Sequence, residues 1–398
     1  MSNRIDFQNE DFIRNPFPAY HEAREREPVY SFLLPSGQYA WMVTSYDDAL
    51  KILDDPRFVT NPPYLNELEN KDAPAHLAIV SRNLLSVNPA DHRRLRRLVQ
   101  KAFTPRMAER LRGRIEEISN SLLDQVEGIG EMRLIEDFAF PLPIIVICEM
   151  LGIPVKDQDK FRTWSDAIME SVHHPRFDNE GEEAMKAFVD YLHDLIALRR
   201  TSMQEDLISD LISAEDEGDK LSEHELYALV FVLIIAGHET TVNLIGNGVL
   251  ALLQHPEQNE LLQHRPELIG SAIEEILRYN GPAEVSNTRW TTEDVEFGGK
   301  YLRKGDMVFV SFSSANRDDR KFEDPDVFDI TRMANNHIAF GKGVHYCLGA
   351  PLARLEGEIA IGALMRRMPN LRLKSGLDDL EWRHGMIIRG VKEILVTF

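Results

Sequence analysis

Phe340-Gly341-Lys342-Gly343-Val344-His345-Tyr346-Cys347-Leu348-Gly349, running directly into the helical stretch Ala350 to Arg354, is the passage on which the fold of this chain turns. Two glycines ahead of the cysteine and one behind it predict a tight loop that directs backbone amides toward the sulfur. Such amides, with a helix start close behind, stabilise a thiolate. A zinc site needs four N, S or O ligands, and Cys148 is the only other thiol. Cys148 itself, in Pro143-Ile144-Ile145-Val146-Ile147-Cys148, reads as a small buried core residue. Nothing marks the paired histidine and oxyanion hole that a cysteine protease requires.

Outward from this loop, the 398 residues are 43% hydrophobic and 28% charged, the composition of a globular protein. With 45 Lys+Arg against 65 Asp+Glu, the net charge of −20 repels nucleic-acid phosphate everywhere except at a local basic patch. Met1 to Glu10 is polar and lacks the apolar core of a signal peptide. The most apolar run, Ala228 to Gly237, is ten residues long against the ~20 of a membrane span, so a soluble, cytoplasmic protein is expected. Apolar spacing of three and four predicts helices through 92–127, 182–200, 222–253, 267–279 and 350–368. Short strand-like runs fall at Pro28 to Phe32, Tyr39 to Val43, Met307 to Phe312 and Ile387 to Arg389. The expected fold is mainly α: one large helical domain over 1–398, with small β-sheets in parts about 1–60 and 284–330. The acidic run Glu215 to Asp219 is expected to be a solvated loop.

The helix from Ser222 carries a second signal. Ser222-Glu223-His224-Glu225 is a capping box, and the apolar pattern continues to about Leu253 before His255-Pro256 stops it. In its apolar middle lies Ala236-Gly237-His238-Glu239-Thr240-Thr241. An acid and an alcohol there are costly unless paired or hydrated. A threonine bonded back to the preceding turn and a glutamate paired with a distant base would satisfy them. Gly237 argues otherwise, because it clears space for a bulky ligand at a helix cost of ~1 kcal/mol.

These motifs resemble those of the cytochrome P-450 family of haem-thiolate monooxygenases. The stretch 340–349 is similar to its Phe-Gly-x-Gly-x-His/Arg-x-Cys-x-Gly loop at every fixed position. Gly237-x-Glu239-Thr240 resembles its oxygen-activating signature, and Glu275-Ile276-Leu277-Arg278 its Glu-x-x-Arg helix, with Arg332 where a third ion-cluster member is expected. The resemblance implies haem b between the long central helix and the cysteine-loop helix, with Cys347 as iron ligand. No Cys-x-x-Cys-His is present to attach it covalently. It further implies His92, Arg96, Arg289 and His345 as propionate partners, with Phe340, Gly341, Gly349 and Ala236 against the macrocycle. Glu275, Arg278 and Arg332 become a structural ion cluster, and Thr240 and Glu239 the oxygen-binding and proton-relay pair.

The implied reaction is hydroxylation or epoxidation of a hydrophobic small molecule with O2: a polyketide or macrolide, steroid, terpenoid or fatty acid. A peroxide-driven fatty-acid hydroxylase and a non-catalytic haem sensor or carrier are the alternatives, and the acid–alcohol pair favours the O2 route over both. Neither glycine pair has the strand–turn–helix context of a dinucleotide site, so no flavin or NAD(P) is expected on this chain. Electrons would come from a ferredoxin or flavodoxin with its reductase. Between His92 and Arg114 stand nine Lys/Arg and one acid, Glu109, and Arg93, Arg94, Arg97 and Lys101 are the expected contacts. Val232, Ala236, Val285 and Met386 are the expected substrate wall, with the loop 60–90 and the segment 165–185. His173-His174-Pro175 reads as exposed and inert. A monomer without membrane attachment completes the expectation.

Overall fold

Glu223–Gln254 forms one unbroken helix of 32 residues, the longest among the residues that this computed structural model describes: 5–34, 36–61, 83–173, 179–216 and 219–398. Its start is closed reciprocally. The Ser222 hydroxyl accepts the Glu225 N–H at 3.3 Å, and the Glu225 carboxylate accepts the Ser222 N–H at 2.8 Å. Pro256 then opens a separate helix, Pro256–His264. The long helix has the length and composition to cross a membrane, which the ten-residue run alone concealed, yet 72% of its most apolar window is buried inside the protein. Burial of that kind belongs to a core helix.

The chain divides into two compact units, and the long helix passes from one to the other between Glu239 and Thr240. The larger comprises Met1–Val59, Arg112–Pro141 and Thr240–Phe398. It holds a five-stranded sheet in which Val29–Leu33 pairs antiparallel with Tyr39–Val43 and Tyr39–Val43 runs parallel to Met307–Val310. Arg289–Thr291 and Phe58–Val59 complete it. One apolar cluster gathers Val43, Ile52, Val308, Val310 and Phe312; another gathers Tyr30, Phe32, Met42, Val285 and Phe309. A three-stranded sheet joins Glu131–Arg133, Arg372–Leu373 and Leu395–Thr397. Helices Ile269–Asn280 and Ala350–Arg367 approach closely because Gly357 carries no side chain: a Cβ there would lie 3.2 Å from methyls of Ile273 and Leu244.

The described residues of the smaller unit, Thr60–Leu111 and Leu142–Glu239, are mainly helical. Phe161 of Gln158–His173 sits edge-on to Phe188 and Tyr191 of Asn179–Thr201. Arg199 is buried against Asp206 and donates to the Gly152 carbonyl at 2.6 Å.

Several sequence expectations are corrected. The region 92–127 is three helices, Pro89–Ala102, Pro105–Arg110 and Arg112–Glu127: Pro105 breaks the ladder and Thr104 caps a new start, and a second break falls at Leu111. The strand at 307 stops at Val310, where Ser311 caps the short helix Phe312–Ala315. Ile387 to Arg389 makes one isolated bridge, Ile388 to Ala283, and no strand. In the acidic run, Glu215–Asp216 pairs as a short strand with Asp219–Lys220. Cys148 is fully buried, as a core thiol should be.

Candidate active site

The cysteine loop is shaped by glycine. Gly341 and Gly343 have φ of 70° and 69°, a region that L side chains rarely adopt. The Gly341 N–H bonds to the Ile338 carbonyl, the Tyr346 N–H to Gly343, and the Cys347 N–H returns to the Phe340 carbonyl at 2.9 Å. The thiol is half-buried, and helix Ala350–Arg367 begins three residues later, so the positive end of its dipole favours negative charge nearby. A side chain at Gly349 would stand 3.9 Å from the sulfur. His345 closes the short turn Gly343–His345 and is partly exposed.

The larger unit also holds an ion cluster with no exposure at its centre. Arg278 donates from Nε and Nη2 to the two oxygens of Glu275 at 2.8 and 2.7 Å. Its remaining N–H groups reach the carbonyls of Asn316, Pro325 and Val327, so all five donors are satisfied. Arg332 donates to Glu275 at 3.3 Å, and Asn335, which the sequence reading missed, at 3.1 Å.

The cations proposed for propionates are where desolvation makes a carboxylate welcome. Arg289 is 5% exposed; its Nη1 donates to the Phe58 carbonyl at 3.0 Å, while its Nε is buried with no partner. Burial pushes its pKa down to about 10, against the attraction of Asp54. In the smaller unit, His92 and Arg96 lie one turn apart on helix Pro89–Ala102. Burial, then the charges of Arg96 and Arg93, press His92 down to about 4. The orphaned buried guanidinium N–H and the buried histidine flanked by cations are each an environment that a carboxylate would satisfy.

In the long helix, Ala236 and Gly237 are exposed although Ile234, His238 and Glu239 are buried, and a Cβ on Gly237 would meet nothing within 4 Å. Thr240 is half-buried, and Thr241 hydrogen-bonds to Glu356 of helix Ala350–Arg367. Glu356 is fully buried, and desolvation pushes it up to about 8, against that hydrogen bond. The sequence reading missed it; its signal is an acid on the apolar face of Leu355-Glu356-Gly357-Glu358-Ile359. Within the larger unit, a half-buried thiol on a glycine-shaped loop and a buried guanidinium N–H without a partner are donors of the chemistry that iron porphyrin and its carboxylates take.

Val285 is 1% exposed inside the Phe32–Phe309 cluster, and Met386 packs on that same cluster. Val232 is buried. Most of the loop 60–90, residues 174–178 and the side chain of Lys101 lie outside the described residues. A cleft of about 520 Å³ in the larger unit is lined by Arg265, Glu274, Arg332 and Asn335 together with Leu268 and Met333. Arg94 is half-buried and ion-paired with Glu225 and Asp219. Arg93 and Arg97 are exposed.

The pattern that defines cytochrome P-450 matches residues 10–374. The polyketide biosynthesis cytochrome P-450 PksS of Bacillus subtilis is 43% identical over 393 residues, 97% of this chain and 96% of its own. A solved structure of the bacillaene polyketide synthase cytochrome P-450 PksS from that species superposes with a TM-score of 0.91 at 42% identity, covering 99% of both chains. The 6-deoxyerythronolide B hydroxylase of Saccharopolyspora erythraea is 40% identical over 406 residues, 100% of this chain and 99% of its own. This chain belongs to the cytochrome P-450 family. It is a haem-iron monooxygenase related to polyketide and macrolide hydroxylases.

Proposed function

We propose that the protein hydroxylates or epoxidises a polyketide- or macrolide-type hydrophobic molecule, using haem b held by the Cys347 thiolate. The observation that carries this reading is the cysteine loop, where two left-handed glycines and the tie from Cys347 to Phe340 set a half-buried thiol just ahead of a helix N-terminus. The relatives named for polyketide biosynthesis and 6-deoxyerythronolide B hydroxylation support the substrate class. When bound, haem supplies electron-driven O2 activation and insertion of one oxygen atom into a C–H or C=C bond.

The chain's own residues do the rest. Arg289 and His345, with His92 and Arg96, neutralise the propionates. Phe340, Gly341, Gly349 and Ala236 bear on the macrocycle, where small residues permit close approach. Glu275, Arg278 and Arg332 lock the backbone around residues 316–329 from below. The Thr240 hydroxyl donates a hydrogen bond at the reacting oxygen, and Glu239 passes protons toward it. Val232, Ala236, Val285 and Met386 offer apolar contact to the substrate. The two compact units act as one catalytic domain, monomeric and cytoplasmic, binding neither flavin nor NAD(P). A ferredoxin or flavodoxin with its reductase delivers electrons at a surface that includes Arg93 and Arg97.

The test is turnover of a macrolactone and polyketide panel under isotopically labelled O2 with such a donor system. The expected product carries one labelled oxygen, and Thr240→Ala diverts reducing equivalents to peroxide. Full coupling in Thr240→Ala removes that residue's role; equal turnover on peroxide alone points instead to the peroxide-driven route.

A further inference from the structure

Glu274, one residue ahead of the buried Glu275, anchors a second ion cluster, and this one reaches the cysteine loop. Its Oε1 accepts Arg354 Nε at 2.6 Å; its Oε2 accepts Arg354 Nη2 at 2.9 Å and lies 3.1 Å from His337 Nε2. Arg354 uses its remaining nitrogen to donate to the Tyr346 hydroxyl at 3.1 Å, and its guanidinium lies 4.5 Å over the Phe340 ring. Phe340 is the residue whose carbonyl takes the Cys347 N–H, and Tyr346 is the residue just before the cysteine. His337 is 3% exposed at the loop's entry and accepts the Ala339 N–H at 3.1 Å. One carboxylate thus holds Arg354 of the helix after the loop and His337 of the segment before it, and through Arg354 it reaches Phe340 and Tyr346 on either side of the cysteine turn.

The cluster is built to stay charged. Burial would raise the Glu274 carboxyl, but His337 and Arg354 outweigh it and hold it at about 2. The Glu274 and Arg354 side chains are nonetheless 31% and 30% exposed, so the pair adds little to global stability. Glu275 differs: its partners are Arg278, Asp329, Arg332 and Asn335, with no bond to residues 337–347.

We propose that Glu274 is a positioning residue for the thiolate, acting through Arg354 on Phe340 and Tyr346 to set the orientation and hydrogen bonding of Cys347. The proposal rests on Cys347 as haem ligand. Partners that orient a metal ligand from one shell out commonly change metal-site properties by about tenfold or more when removed.

The test uses the full haem-loaded chain and its variants Glu274→Ala, Glu274→Gln, Arg354→Lys and Glu274→Ala/Arg354→Ala. The readouts are the carbon monoxide difference spectrum of the reduced protein at matched haem content, the reduction potential and thermal unfolding. Arg354→Lys keeps a charge opposite Glu274 but gives up the planar stack on Phe340 and the geometry of the Tyr346 bond. In Glu274→Ala and Arg354→Lys the ratio of red-shifted to unshifted Soret band should fall about tenfold, with a shifted potential and little change in unfolding temperature. Glu274→Gln should fall between, and the double variant should be no worse than either single, because the two act as a unit. Parent-like spectra and potentials in Glu274→Ala and Arg354→Lys overturn the proposal, and if Glu274→Ala does not fold, Arg354→Lys decides alone. A parent protein without the red-shifted band overturns the haem-thiolate reading itself, and this proposal with it.

Discussion

Glu356 gives the protein a measurable alkaline weakness. It is fully buried on helix Ala350–Arg367, bonded to Thr241, and desolvation raises its pKa from 4.5 to about 8. A carboxyl whose folded pKa lies above its unfolded value contributes stability that is complete below pH 4.5 and is lost as pH rises through about 8. At 1.36 kcal/mol per pH unit, that rise corresponds to roughly 5 kcal/mol in all. Most of it is lost between pH 4.5 and 7, leaving between about 1 and 2 kcal/mol to be lost from pH 7 to 9. Glu356→Gln keeps the volume and can still bond to Thr241, but it cannot ionise. Urea unfolding of parent and variant at pH 7, 8 and 9 should therefore show the variant gaining on the parent by about 1 to 2 kcal/mol across that range. Identical pH dependence in the two proteins would refute the reasoning, because it would mean that the Glu356 proton is not bound differently on folding.

Glu275→Ala leaves the Arg278 guanidinium buried and unpaired, so it should cost about 3–5 kcal/mol and strip haem from the purified protein; a urea midpoint and haem content equal to the parent's would contradict this. His92 has a folded pKa below its unfolded value, so its neutral form supports stability above pH 6.5, and that support fades as pH falls toward about 4. Its ring should titrate near 4 by NMR in the haem-free protein and rise once a carboxylate pairs with it; an ordinary midpoint near 6.5 in the haem-free form would contradict the buried, cation-flanked environment.

Much of the fold is legible because local and global signals agree. The capping box at Ser222 and the proline at 256 bracket the long helix, and the strand-like run Tyr39–Val43 forms the strand it predicts. The misses have separate causes. Thr104-Pro105 interrupts a run whose apolar spacing continues across the break, and a second break falls at Leu111, so periodicity reads one helix where the chain makes three. Phe312 continues an apolar run, but Ser311 turns the backbone into a helix by capping it.

The site divides in the same way. Cys347, Glu275 and Arg278 stand in short motifs whose spacing is their chemistry. Glu356, Asn335 and Glu274 owe their importance to partners 60 to 115 residues away in sequence, Asn335 to Glu275, Arg354 to Glu274 and Glu356 to Thr241. No window of sequence brings such partners together. A basic run likewise does not reveal that one of its members, Arg94, is ion-paired with Glu225 and Asp219.

The central claim, that Cys347 holds haem iron as a thiolate, is tested most directly by reducing the purified protein, adding carbon monoxide and recording the difference spectrum beside that of Cys347→His. A strongly red-shifted Soret band in the parent that disappears in Cys347→His is the predicted result. A band at the position of histidine-ligated haem in the parent, or no haem in it at all, would contradict the account.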